Sequence, residues 1–164
     1  MQRDPRKRVV TTKLAMEIAE LNPLRFNEYV AADTYKCAPR TEPGKSRRFR
    51  EPDLIGLWWF SKMLREGISA ARAGDIACRL VGFLRETAGS DGLYSEPRVT
   101  FVETTGFSFF KPTKEFAADL DKDITSYRGR GTLIKATNFE LAFVRQIIAD
   151  KIEEWDNRAG DYDE

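Results

Sequence analysis

The sequence predicts an α+β fold: a helical N-terminal half, then a smaller C-terminal part that mixes strands with helices and ends in one long helix. Three observations point there. Apolar residues recur every three or four positions over much of residues 12–87. β-Branched and aromatic residues crowd the stretch VTFVETTGFSFF around Gly106. Helical spacing then returns at Leu141, Val144, Ile148, Ile152 and Trp155. A chain of 164 residues, 41% hydrophobic, can build a core for one domain or two small ones.

Taken in order, residues 1–11 form a basic tail with Arg3, Arg6, Lys7 and Arg8, which reads most simply as a solvated terminus. Leu14, Ile18 and Leu21 mark a first helix, interrupted at Asn22-Pro23. Asn22 suits the cap of a second helix, with Pro23 at its first position, running to about Asp33. After Tyr35 comes a loop in which Lys36, Arg40, Lys45, Arg47, Arg48 and Arg50 oppose Glu42 alone. Pro43-Gly44 is a turn signal, so Arg40-Thr41 is expected to pair with the segment from Ser46 to Phe49 as a hairpin anchored by Phe49.

Pro52 and Gly67 bracket the next helix, whose apolar stripe is wide enough for a buried element; Trp58 and Trp59 read as core. Ser69 can cap a further helix through Ile76, Leu80 and Leu84, ending near Thr87. From Pro97 onward, one or two strands bend at Gly106, and a short helix covers Glu115 to Leu120. Arg128-Gly129-Arg130-Gly131 reads better as a turn with solvated arginines than as a phosphate loop. Asn138 is expected to cap the last helix, from Phe139 to about Trp155, and residues 157–164 to be an acidic, disordered tail.

Charge separates the two halves. Residues 1–85 carry 17 Lys and Arg against 10 Asp and Glu, a balance of +7; residues 86–164 carry 10 against 16, or −6. A basic half joined to an acidic half suggests a nucleic-acid module, 12–88, followed by an oligomerisation or sensing domain, 97–156. The chain has no histidine, and Cys37 and Cys78 stand outside any CxxC spacing. Zinc binding and histidine-based catalysis are therefore not expected, and no nucleophile motif or Gly-rich phosphate loop marks an enzyme. We expect no cofactor, no metal and no catalytic residues. Neither a signal peptide nor an apolar window of roughly 20 residues is visible, so we expect no membrane contact, a cytoplasmic protein and two reduced thiols.

The order of parts resembles the mercury-resistance regulator (MerR) superfamily of bacterial winged-helix proteins. Glu17-Ile18-Ala19-Glu20-Leu21 followed by Leu24-Arg25-Phe26-Asn27-Glu28 is similar to the family's opening helices. Ser46-Arg47-Arg48-Phe49, then Asp53-Leu54, resembles its wing and third helix, and Gly67-Ile68-Ser69 its step into the fourth. The resemblance covers residues 12–87; the family's long antiparallel dimerisation helix and metal-binding cysteines have no visible counterpart, which makes this an atypical member.

The resemblance implies a winged helix-turn-helix that binds double-stranded DNA, with the second helix in the major groove and the wing on the backbone or minor groove. Arg25, Asn27 and Glu28 are then the candidates for base edges, the other reading of Arg25 and Glu28 being an ordinary exposed pair. Tyr35, Lys36, Arg40, Lys45, Arg47 and Arg48 are the candidates for backbone contacts. The stripe Leu141, Val144, Ile148, Ile152 and Trp155 is the expected homodimer interface, unless that helix simply completes a monomeric core. The leading expectation is a bacterial or phage transcriptional regulator, with no effector assigned. A phage excisionase-like architectural factor and a protein-interaction adaptor are the alternatives.

Overall fold

The computed structural model describes residues 7–121 and 131–160. It is a mixed α+β chain that divides into two compact units, one built from residues 1–82 and 144–164 and the other from 83–143. The chain passes between them inside α4 (Ala70–Thr87) and again inside α7 (Leu141–Gly160). Among the described residues, no helix is long and apolar enough to cross a membrane.

In the first unit, β1 (Val10–Thr11) leads directly into α1 (Thr12–Ala19), which buries Leu14, Ala15, Met16, Ile18 and Ala19. Glu20 adopts the left-handed conformation (φ 53°) and stops the helix, and α2 (Pro23–Ala31) starts three residues later. Asn22 caps α2: its Oδ1 accepts from the backbone N–H groups of Leu24 and Arg25, at 2.9 and 3.2 Å. The basic loop then returns through β2 (Arg48–Phe49) to α3 (Glu51–Arg65). Asp53 accepts the Arg50 backbone N–H at 2.9 Å, which holds the start of α3. Helix α3 is the buried centre, with Leu54, Ile55, Leu57 and Phe60 at most 1% exposed. Trp58 and Trp59, expected in the core, are half-buried and pack edge to face.

Gly74 shows how closely α4 is seated. A Cβ placed there would lie 2.1 Å from the Thr34 carbonyl oxygen, so the close approach admits no side chain. Cys37 and Cys78, expected as two reduced thiols, are joined as a disulfide across a sequence separation of 41. Sequence spacing carries no trace of this pairing, because the tertiary path of the basic loop brings the two positions together.

The C-terminal portion of α7 belongs to this first unit, which corrects the expected 97–156 domain. Val144 and Ile148 are buried, Ile152 and Trp155 half-buried, and Leu141, just before the boundary, is fully buried. Three residues of the expected dimer stripe are therefore buried within the chain and two remain half-exposed. Arg158 reaches Glu17 of α1 at 2.6 Å, Asp156 reaches Arg8 at 2.6 Å, and the Trp155 ring lies under Lys13 at 5.5 Å. Arg145 of α7 also pairs with the buried Glu51 of α3 at 3.4 Å.

The second unit holds the short helix α5 (Asp91–Tyr94) and an antiparallel sheet in the order β4-β3-β5, formed by β3 (Arg98–Thr104), β4 (Ser108–Pro112) and β5 (Leu133–Glu140). Helix α6 (Thr113–Asp121) follows β4 and places Phe116 against Val102. The Thr104 hydroxyl accepts from the backbone N–H groups of Gly106 and Phe107 and so shapes the β3–β4 turn. Asn138 does not cap α7. It lies in β5, opposite Thr100, whose hydroxyl donates to its Oδ1 at 2.8 Å, and the helix starts at Leu141 with its first N–H groups on the Pro97 carbonyl. Helix α7 also runs on to Gly160, so the expected acidic tail from 157 is helical to that point. Arg3 and Arg6 of the basic tail, and Arg128, Gly129 and Arg130, lie outside the described residues.

Candidate nucleic-acid interface

Helix α2 buries one side chain, Phe26, which is 0% exposed. The Phe26 ring meets Tyr35 edge to face at 5.9 Å and Phe49 at 6.2 Å. Arg25, Asn27 and Glu28 are left exposed, as is Leu24 at 73%. Arg25 and Glu28 face each other as an i,i+3 ion pair at 3.2 Å, with both side chains about two-thirds in solvent.

Tyr35 is 2% exposed, between the rings of Phe26 and Phe60, and is thus a core residue and not a contact for a phosphate backbone. The aromatic at this position does what apolar burial demands of it; nothing in a single sequence separated that role from an exposed one. Lys36 is exposed and pairs loosely with Asp33 at 3.8 Å.

The expected hairpin within the loop does not form. Arg48 and Phe49 pair instead with Thr11 and Val10, so β2 takes its partner from the strand that precedes α1. The mechanism is burial: Val10 and Phe49, opposite one another, are both in the core, whereas Arg40 and Thr41 are exposed and offer no apolar face for a partner strand. Around the turn, Gly44 takes φ 74°, the Lys45 N–H donates to the Glu42 carbonyl at 3.0 Å, and the Lys45 ammonium pairs with the Glu42 carboxylate at 2.6 Å. The Ser46 hydroxyl lies 3.3 Å from that of Thr12.

Arg47 is half-buried, and its guanidinium donates to the Pro39 carbonyl. It ties the two arms of the loop together and is a scaffold for its neighbours, not a projecting cation. Arg40, Lys45 and Arg48 do project. With Pro39, Glu42 and Ser46 they line one recess of about 360 Å³, three cations against one carboxylate. Arg25, Asn27 and Glu28 lie outside that recess, on α2.

The structure thus gathers half of the expected backbone contacts into a concave, hydroxyl-bearing site suited to an anion, and separates Tyr35 and Arg47 from it. Sequence reasoning missed Glu42 and Ser46 as parts of the recess. The Glu42-Pro-Gly-Lys45 spacing was the available signal, since a turn at Pro43-Gly44 brings those two charges together. Among the described residues, no group of three or more His, Cys, Asp or Glu is placed to hold a metal ion. No protein-family model matches the chain, and no curated protein matches it.

Proposed function

We propose that the first unit is a winged helix-turn-helix module that binds double-stranded DNA, and that the protein acts as a DNA-binding regulator. The observation that carries this reading is the recess of Arg40, Lys45 and Arg48. These cations stand on a loop whose two ends are fixed by buried Tyr35 and Phe49, so a polyanion meets charges already in position. Helix α2 supports it: capped at Asn22, it is held by Phe26 and leaves donors and acceptors on its outer side. The likeness of residues 12–87 to the mercury-resistance regulator superfamily points the same way, with Arg40, Lys45 and Arg48 as the wing.

The dimer expected through α7 is not part of this proposal, because Leu141, Val144 and Ile148 of the stripe that would form it are buried within the chain. The test is a selection of bound duplexes from a fragment library at near-physiological salt, using the wild type and an Arg40→Ala/Arg48→Ala variant. Recurrent enrichment by the wild type, lost in a folded variant, supports the module. Absence of enrichment by folded wild type refutes it and transfers the basic loop to an acidic protein partner.

A further inference from the structure

Cys37 and Cys78 have Cα atoms 5.3 Å apart, and their bond joins the first turn of the basic loop to α4. Between Cys37 and β2, the loop is exposed at Arg40 through Ser46. Its far end is fastened by Phe49 in the core and by the β1–β2 register. Its near end is fastened by Tyr35 and, two residues later, by the disulfide. Both cysteines are half-buried, and Cys78 opens onto a separate recess of about 500 Å³ lined by Asp33, Lys36, Asp75 and Arg79 among others. Cys78 is thus the cysteine that borders an open recess. Lys36 and Arg79 stand next to the two cysteines in sequence and line that same recess, where Asp33 and Asp75 pair with them at 3.8 and 3.3 Å, so the charges there balance.

We propose that Cys37–Cys78 is a thiol–disulfide exchange site whose state sets the order of the basic loop and, through it, affinity for DNA; the second half rests on the reading of that loop as a DNA contact. In the forward step, the thiolate of a dithiol reductant attacks Cys78 Sγ. The new S–S bond forms as the Cys37–Cys78 bond breaks, and Cys37 leaves as a thiolate and takes up a proton. The reductant's second thiolate then attacks the reductant's own sulfur in the mixed disulfide and expels Cys78, which is protonated in turn. Two electrons and two protons pass from the dithiol to the protein, and the reductant ends as a disulfide. A low-molecular-weight disulfide run in the opposite sense restores the bond. Closed, the bond holds Cys37 on α4 and so limits the arcs open to Arg40 and Lys45; opened, it leaves Tyr35 as the near-end anchor.

The test uses the full chain in three states: oxidised wild type, wild type in excess dithiothreitol, and a Cys37→Ser/Cys78→Ser variant. Alkylation and mass spectrometry verify the thiol count, and circular dichroism verifies folding. Two quantities are read: amide hydrogen exchange over residues 38–48, and binding to a fluorescent duplex of roughly 30 base pairs, about three helical turns. Reduction is expected to speed exchange in the loop and to weaken duplex binding about tenfold, the effect of ordering one or two long side chains. The double-serine variant should match the reduced wild type and ignore the reductant. Equal loop exchange in the oxidised and reduced proteins overturns the proposal, as does a double-serine variant that still responds to dithiothreitol. Faster exchange with unchanged duplex affinity overturns its regulatory half. Faster exchange with no duplex binding in any state upholds the exchange site and refutes the DNA reading itself.

Discussion

Neutralising Arg40 and Arg48 together should flatten the salt dependence of duplex binding by a calculable amount. Lys36, Arg40, Lys45 and Arg48 of the loop are all exposed, four cations in all. Each phosphate they neutralise releases counterions, so four contacts give a slope of log K against log salt of about −3.6. Between 50 and 200 mM salt the wild type should then lose roughly 150-fold in affinity. An Arg40→Gln/Arg48→Gln variant keeps two contacts, a slope of about −1.8 and a loss of roughly 12-fold over the same range.

Glu42 and Asp33 hold two of these cations in exposed ion pairs. Opening such a pair costs at most about 1 kcal/mol. That weakens absolute binding but leaves the slope nearly unchanged, which is why the slope is the better measure. Arg47 is left intact because its hold on the Pro39 carbonyl would confuse a lost contact with a collapsed loop. Fluorescence anisotropy at four or more salt concentrations reads both proteins. A wild-type slope shallower than about −1, or a slope unaltered in the folded variant, refutes the assignment of these side chains to phosphates.

Cys78→Ser should destabilise the first unit substantially: opening the loop that the bond closes, with its separation of 41 residues, is worth about 4 kcal/mol in the chain-entropy account. Urea unfolding of the variant beside oxidised and reduced wild type checks this, the variant and the reduced protein agreeing. Gly74→Ala should lower the melting temperature even though alanine is the better helix former by about 1 kcal/mol. Its Cβ would meet the Thr34 carbonyl oxygen at 2.1 Å, and overpacking of this kind costs roughly 1–3 kcal/mol. In the second unit, the Glu96 carboxylate at 2.5 Å raises the Lys114 pKa above its ordinary 10.5, first by hydrogen bonding and then by charge. The folded value being the higher one, this pair's stabilisation is complete below pH 10.5 and fades as pH climbs through the raised value. Unfolding midpoints across alkaline pH should show that decline in the wild type, and a Glu96→Gln variant should lose it.

Periodicity and capping were legible where the signal was local. Asn22-Pro23, Pro52, Ser69 and Gly106 mark boundaries that the structure respects within a residue or two, because each acts through its own backbone neighbours. Partnership was not legible. Nothing within the basic loop says that Arg48-Phe49 pairs with Val10-Thr11 and not with Arg40-Thr41; that choice is made by what Phe49 and Val10 bury together. The same holds for α7, whose broad apolar face was expected to meet a second subunit. Within the chain its polar edges reach α1 and α3, through the Glu17, Lys13 and Glu51 contacts. Composition told that the face must be covered and could not tell by what. For the site, residue type identified the cations, while exposure divided them into those that project and Arg47, which braces.

If the first unit binds DNA as proposed, the burial of Leu141, Val144 and Ile148 on α7 bears on what kind of binding that would be. A dimer multiplies modest half-site discrimination; a single unit has only the outer side of α2 for reading bases. Three good base contacts from Arg25, Asn27 and Glu28 would supply about 3–9 kcal/mol of discrimination, comparable to what separates specific from non-specific binding. Arg25 and Glu28, however, already satisfy each other at 3.2 Å. Kept closed in the groove, that pair leaves Asn27 alone, worth about 1–3 kcal/mol. Opened, it frees a guanine reader and a cytosine reader at a cost of at most about 1 kcal/mol. On that reading the loop cations would contact phosphate equally in both cases. On the proposed reading, the Arg25–Glu28 pair would therefore be the element that separates a sequence-reading regulator from a sequence-tolerant architectural factor, and the basic recess, for all its charge, would have no part in that choice.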